Sequence, residues 1–250
     1  MYLLDHIVHF VKEPKAMVEK TRELGLHTVE GGKHEMWGTY NSLCYFGLSY
    51  IEFIGVFDQN LLEESAKVPY TLHASYKKRN EQQGLTRIAL RTSTIEKDAE
   101  KLREKGYEVI GPDSFSRVRP DGSILTWKLL HFGKKEFPFE FPFLIQWDGS
   151  DEDRYNDLIH NGTIQKHPEG DLAIAEIAFE VNDLGWAKKW SELFQHKIME
   201  STPSYIKLKA PNCDFRFTLG EKNEITEVVI KGAKAEKQVI LEQGNYRFSR

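Results

Sequence analysis

From Leu3 to Val11 a short apolar run is interrupted by Asp5, His6 and His9, which predicts a β-strand. The pattern then shifts to helical spacing, with Met17, Thr21 and Leu24 on one face, the stripe of a helix lying on a sheet. Pro14 suits the first turn of that helix, and Gly25 suits the left-handed position after its last. Three further strand-like runs follow at His27–Glu30, Thr39–Phe46 and Ser49–Val56, with Gly47 at the turn between the last two. Residues 3–56 therefore predict one βαβββ unit.

The same order returns twice. A second unit over residues 85–148 opens with the strand Leu85–Leu90. Ser93-Thr94-Ile95-Glu96 has the form of a capping box, Ala99 and Leu102 face inward, and Gly106 stops the helix. Strands follow near Glu108–Ile110, Ser123–Phe132 and Phe143–Trp147, with a Pro- and Phe-rich loop at Lys134–Pro142. A third unit starts at Ile174–Phe179. Asn182 or Asp183 caps a helix running through Ala187, Trp190 and Phe194, with strands at Tyr205–Lys209, Phe215–Leu219 and Glu227–Lys231. Residues 57–83 form a connector with helical character around Leu61–Lys67, and the polar stretch Asp148–Gly170 is the expected boundary. The fold class is α+β, built from repeated βαβββ modules, with a partial third module in residues 171–250.

Composition narrows the function classes. At 250 residues the chain holds ample material for a buried core, and 40% hydrophobic with 29% charged residues is ordinary for a soluble globular protein. A net charge of −4 with scattered basic residues gives no electrostatic case for nucleic acid. The start lacks a basic segment followed by an apolar core, and no apolar run approaches the roughly 20 residues of a membrane helix. Two cysteines, Cys44 and Cys213, make neither a disulfide framework nor a zinc ribbon. The expected location is the cytoplasm, with no membrane or nucleic-acid partner. No phosphate-binding loop, zinc-protease helix or nucleophile elbow is present.

The candidate chemistry sits in the first unit. His6 lies on the strand face opposite Ile7, and Glu52 on the face opposite Ile51 and Phe53. An imidazole and a carboxylate would thus project from neighbouring strands, as an acid–base pair or a metal requires. A carboxylate near Tyr50 and Ile54 is desolvated, which suits Glu52 to taking a proton next to a carbonyl. Arg87, between Leu85 and Ile88, is either ion-paired with Glu52 or an anion clamp for a ligand carboxylate or phosphate. Gly31-Gly32-Lys33-His34 forms a mobile turn that leaves His34 either exposed or reaching a ligand, with Trp37 beside it. Asn41 is placed to bond a ligand carbonyl or a neighbouring backbone group. His9 faces the helix and is expected to be a buried, hydrogen-bonded histidine. Glu176 holds the third unit's counterpart of the His6 position, without a clear companion. Phe137, Phe139, Phe141, Phe143 and Trp147 alternate as a buried edge or module contact, and exposed rings there would suit a rim for an apolar ligand or a subunit interface, as in a homodimer.

Leu4-Asp5-His6-Ile7, Gly31-Gly32-Lys33-His34, Gly38-Thr39-Tyr40-Asn41-Ser42-Leu43 and Tyr50-Ile51-Glu52 together resemble a glyoxalase-like domain. That domain belongs to the vicinal-oxygen-chelate superfamily of glyoxalase I, extradiol dioxygenases and bleomycin-resistance proteins. The resemblance is specific over residues 3–56, fair over 85–150 and weak beyond 170. It implies two modules paired around a ligand cup in residues 1–150. It also implies metal ligands from the first and fourth strands of both modules, at positions His6, Glu52, Arg87 and Gln146. Arg87 carries only donors and does not ligate a cation, which leaves His6, Glu52 and Gln146 as the candidate set for zinc, nickel, iron or manganese. The activity implied is a lyase, isomerase or dioxygenase type acting on a small oxygenated, anionic or neutral substrate. Glu52 would serve as base or ligand, His34 as a second catalytic group, and Arg87, Asn41, Trp37, Tyr50 and Gln146 as ligand-binding residues. The alternative is a metal-free protein that sequesters a small molecule.

Overall fold

The computed structural model describes residues 1–118 and 122–250. The first unit consists of β1 (Leu3–Phe10), α1 (Pro14–Glu23), β2 (Val29–His34), β3 (Thr39–Phe46) and β4 (Ser49–Val56). The connector folds into two short helices, α2 (Gln59–Ser65) and α3 (Leu72–Lys78), capped by the side chains of Asp58 and Thr71. The second unit has β5 (Gly84–Arg91), α4 (Ile95–Glu104), β6 (Glu108–Val118), β7 (Ile124–Gly133) and β8 (Phe143–Trp147). These strands form one eight-stranded sheet in the order β2-β3-β4-β1-β5-β8-β7-β6. β1 and β5 run antiparallel at its centre, pairing Ile7 with Ile88, so the two units are related by a local two-fold at that pair.

The two faces of this sheet differ. Ile7, Ile51, Phe53, Ile88, Leu90 and Leu144 face α1 and α4 and belong to the main core. Val8, Phe10, Ile54, Ala89, Phe143 and Ile145 point the other way, into a second cluster that includes Leu72 and Tyr76 of α3. Phe10 and Tyr76 stack with ring centroids 3.7 Å apart, so the connector covers one end of the concave face.

After α5 (Asp151–His160), a second sheet repeats the design. It contains β9 (Gly170–Val181), α6 (Gly185–Phe194), β10 (Lys197–Ser201), β11 (Tyr205–Lys209), β12 (Asp214–Leu219), β13 (Glu224–Ala233), β14 (Lys237–Leu241) and β15 (Gly244–Ser249). Its order among the described residues is β10-β11-β12-β9-β13-β15-β14. β9 to β12 make a full βαβββ run, and β13 starts a further unit that lacks the helix and one strand. The strand expected at Glu227–Lys231 therefore opens that further unit, while β10, with all five residues exposed, carries no alternation to betray it.

The helix-bearing faces of both sheets share one core. Phe139 from the Lys134–Pro142 loop packs on Trp186 and Phe217, so this aromatic loop is a contact between the halves. His9 bonds Tyr246 Oη at 2.6 Å and the Glu242 carbonyl at 2.9 Å, the buried structural role its face implied.

Candidate functional site

The concave face of the first sheet encloses a cavity of about 440 Å³. That volume is within the range typical of small-molecule sites. Trp37, Phe115, Leu129, Trp127, Phe143, Ile145 and Trp147 make its apolar walls, and Arg117 of β6 lies at its lining beside Gly32. β1 and β4 run parallel and pair His6 with Tyr50 and Val8 with Glu52, which brings His6 and Glu52 to one wall. His6 Nε2 stands 3.7 Å from Glu52 Oε2, beyond hydrogen-bond range, so a gap separates the two groups. Tyr50 stacks on the His6 ring at a centroid distance of 4.7 Å and fixes its plane.

Each member of the pair is held from behind. The other imidazole nitrogen, Nδ1, lies 2.8 Å from Asp5 Oδ1. Asp5 is wholly buried and its second oxygen accepts from Arg91, Trp147 Nε1 and Arg154 at 3.1, 3.0 and 3.4 Å. Burial works to raise the Asp5 carboxyl, but Arg154, the His6 contact and Arg91 outweigh it and hold it well below the usual carboxylate range. Asp5 is thus an anion that favours the His6 tautomer with Nδ1–H, turning Nε2 toward the cavity. A register irregularity between β1 and β5 leaves Asp5 outside the regular pairing, which lets consecutive side chains meet.

Glu52 Oε1 accepts from Asn41 Nδ2 at 2.6 Å, and Asn41 Oδ1 in turn accepts from the Gly32 backbone N–H at 2.9 Å. A Cβ on Gly31 would fall 2.0 Å from Asn41 Oδ1. The Gly31–Gly32 pair, expected to be a mobile turn, lies inside β2 and gives Asn41 room to brace the carboxylate. His34 Nδ1 is 3.0 Å from Thr39 Oγ1, and its ring lines the cavity. Burial lowers His34 below the ordinary imidazole range; Glu52 opposes this, and Arg117 and His6 add to it.

Two expected site residues lie elsewhere. Gln146 is turned to the helix side, where its Oε1 accepts the Ile95 backbone N–H at 2.9 Å. The pairing of Ala89 with Phe143 makes Phe143, not Gln146, the register equivalent of Glu52. Gln146 also replaces the expected capping box, since Thr94 makes no side-chain cap on α4. Arg87 lies under α3, donating to the Tyr70 carbonyl at 3.2 Å, to Ser75 Oγ at 2.7 Å and to the Phe141 carbonyl. It pairs neither with Glu52 nor with open solvent, so it ties the connector to β5 and is no anion clamp. Asp5, His73, His131, Phe115 and Trp127 line or support the cavity without a forecast role. Asp5 was visible as a second polar residue in an apolar strand, but the irregularity that turns it was not.

A catalytic divalent metal does not fit these donors. Such sites use three protein ligands, whereas the four register positions supply His6, Glu52, Arg87 and Phe143, with one Glu52 oxygen already taken by Asn41. No group of three or more His, Cys, Asp or Glu among the described residues is arranged to hold a metal.

In the second sheet the corresponding positions carry Glu176, Arg216, Glu227 and Arg247. They neutralise one another, with Arg216 Nε 3.3 Å from Glu176 and Arg247 Nε 2.9 Å from Glu227. Glu176 therefore has companions, and they are ion-pair partners.

Comparison with known proteins agrees with this architecture. A hypothetical protein from Staphylococcus aureus superposes over the whole of both chains with a TM-score of 0.89 at 25% identity. A mutant of 4-hydroxymandelate synthase from Streptomyces coelicolor shares the fold, with a TM-score of 0.54 over 92% of this chain and 71% of its own, at 9% identity. No curated protein matches the sequence. No helix among the described residues is long and apolar enough to cross a membrane. The family described as Glyoxalase-like domain matches residues 4–194, well over half of the chain, and the protein therefore belongs to that family, within the vicinal-oxygen-chelate fold.

Proposed function

We propose that this protein is an enzyme that moves a proton at a carbon adjacent to a carbonyl in a small, flat, oxygenated compound. The observation that carries this reading is the gap between Glu52 Oε2 and His6 Nε2, 3.7 Å wide and open to a mostly apolar cavity. Glu52 Oε2 takes the proton from carbon, and the C–H electron pair moves into the carbonyl to give an enolate. In its protonated form His6 directs Nε2–H at the enolate oxygen, while Asp5 holds Nδ1–H and stabilises the ring's charge. Return of the proton from Glu52 after the planar enolate turns its other face toward it completes an epimerisation, and expulsion of a leaving group from the β-carbon by the enolate electrons completes an elimination. No step requires a metal.

The test is solvent exchange. Aryl ketones and α-hydroxyketones incubated with the protein in D₂O are expected to gain deuterium beside the carbonyl, followed by NMR. Glu52→Gln should lower that rate by about 10²-fold or more, on the usual scale for general base catalysis, while leaving ligand affinity within a few fold. Equal exchange by the variant would sink the assignment. A second reading, a metal-free sequestering protein, is favoured by Arg87 and Phe143 at the remaining register positions. It predicts binding without exchange. Protein purified without chelator is expected to carry well under one equivalent of zinc, nickel, iron or manganese by elemental analysis.

A further inference from the structure

The cavity has a second polar corner that the proton transfer leaves unused. His73 of α3 and His131 of β7 both line it. His73 Nε2 and His131 Nδ1 are buried without a hydrogen-bond partner, and the charge of Arg87, which lies outside the lining, acts on His131. Buried polar atoms are nearly always paired, so two unpaired imidazole nitrogens on residues of one cavity lining mark a place built to receive a polar group. Trp37 and Phe143 hold the two imidazoles, with ring centroids 5.3 Å from His73 and 5.3 Å from His131.

We propose that this corner is a second subsite, which hydrogen-bonds an uncharged hydroxyl or carbonyl at the far end of a ligand whose reacting carbonyl lies between His6 and Glu52. The inference rests on the cup being the ligand site. Burial, reinforced at His131 by the Arg87 guanidinium, lowers His73 and His131 to about 3, so both rings are neutral at pH 7. A neutral imidazole offers one donor and one acceptor, which matches a hydroxyl that is also both. At this corner a carboxylate or phosphate finds no comparable partner. Arg87 has already committed its terminal nitrogens to Tyr70, Ser75 and Phe141, and Glu140 lies near enough to feel its charge. Trp37 and Phe143 belong to the aromatic walls, whose flat faces select a planar ring between the two polar ends. The ligand class is therefore an aryl ketone or similar flat carbonyl compound bearing a distal hydroxyl.

Binding of three probes, read by intrinsic tryptophan fluorescence, tests this: 4′-hydroxyacetophenone, acetophenone and 4-acetylbenzoate. The hydroxylated ketone is expected to bind about tenfold more tightly than the other two, the discrimination of one to two hydrogen bonds that would otherwise go unmade. His73→Phe and His131→Phe should each shrink the preference to about twofold or less while leaving acetophenone affinity in place, since a phenyl ring conserves the wall. Equal affinity of the wild-type protein for hydroxylated and plain ketone overturns the proposal and assigns the corner to bound water. Tightest binding of 4-acetylbenzoate overturns it in favour of an anion site. These comparisons use the unaltered protein and do not depend on how the variants fold. Failure of all three probes to bind overturns the subsite and the cup together. Persistence of the hydroxyl preference in Glu52→Gln, with no exchange by the wild-type protein, sustains the subsite and removes the proton-transfer reading instead.

Discussion

Asp5 shows how much one buried carboxylate carries. It receives His6 on one oxygen and Arg91, Arg154 and Trp147 on the other, so it holds two buried arginines from β5 and α5, of which Arg91 also pairs with Asp151. Breaking a buried ion pair by removing one partner costs about 3–5 kcal/mol, because the remaining charge stays buried. Asp5→Ala should therefore lose stability of that order in urea denaturation, and Asp5→Asn somewhat less. A loss below about 1 kcal/mol would mean that water replaces the carboxylate. Asp5 acts through His6, so Asp5→Asn should also shift the pH dependence of exchange, an effect that simple destabilisation does not produce. Asn41 plays the matching part for Glu52.

At the scale of elements, the helices were legible from one packed face and their end residues, and the central strands from short apolar runs, since β1, β3, β4 and β5 are buried on both faces. β3, β4 and β8 coincide with the strand runs expected from the sequence, and α1 with its Pro14 and Gly25 limits. What failed was register. In β8 the apolar residues Phe143 and Ile145 face the cavity and the polar Gln146 faces a helix terminus, the reverse of what polarity suggests. Nothing local distinguishes a glutamine aimed at a ligand from one capping a helix that begins fifty residues earlier in the chain. Gln146→Ala is expected to cost about 1 kcal/mol through loss of the α4 cap and to leave probe binding unchanged. A loss of binding would return Gln146 to the cavity. Gly31→Ala should act in the opposite sense, weakening exchange by displacing Asn41 from Glu52 with little change in helix content.

The whole molecule is two sheets of one design joined back to back, and the first keeps a cavity at its ligand positions. Glu176, Arg216, Glu227 and Arg247 fill the corresponding face of the second sheet with mutually satisfied charges, while His9, Tyr2 and Leu4 bind the halves through Tyr246, His196 and Asn212. The buried histidines set the response of this assembly to acid. His9 is lowered to about 4, and His73 and His131 to about 3, chiefly by burial. Unfolded chains take up these protons near pH 6.5, so the unfolded state binds more protons between about pH 6.5 and 4, and stability falls as pH falls through that window. Each group contributes at most about 1.4 kcal/mol per pH unit there. Denaturation at pH 7 and pH 5 should differ by several kcal/mol; identical midpoints would show that these rings are solvated.

The five tryptophans divide between the cavity and the core. Trp37, Trp127 and Trp147 line the cavity, whereas Trp186 and Trp190 are buried in the core between the sheets. Two-dimensional NMR of the indole N–H groups during titration with 4′-hydroxyacetophenone therefore locates binding directly. Saturable shifts of the three cavity indoles, with Trp186 and Trp190 unmoved, are predicted. Movement confined to the core pair, or no saturable change at the cavity three, would contradict the claim that the concave face of the first sheet holds the ligand.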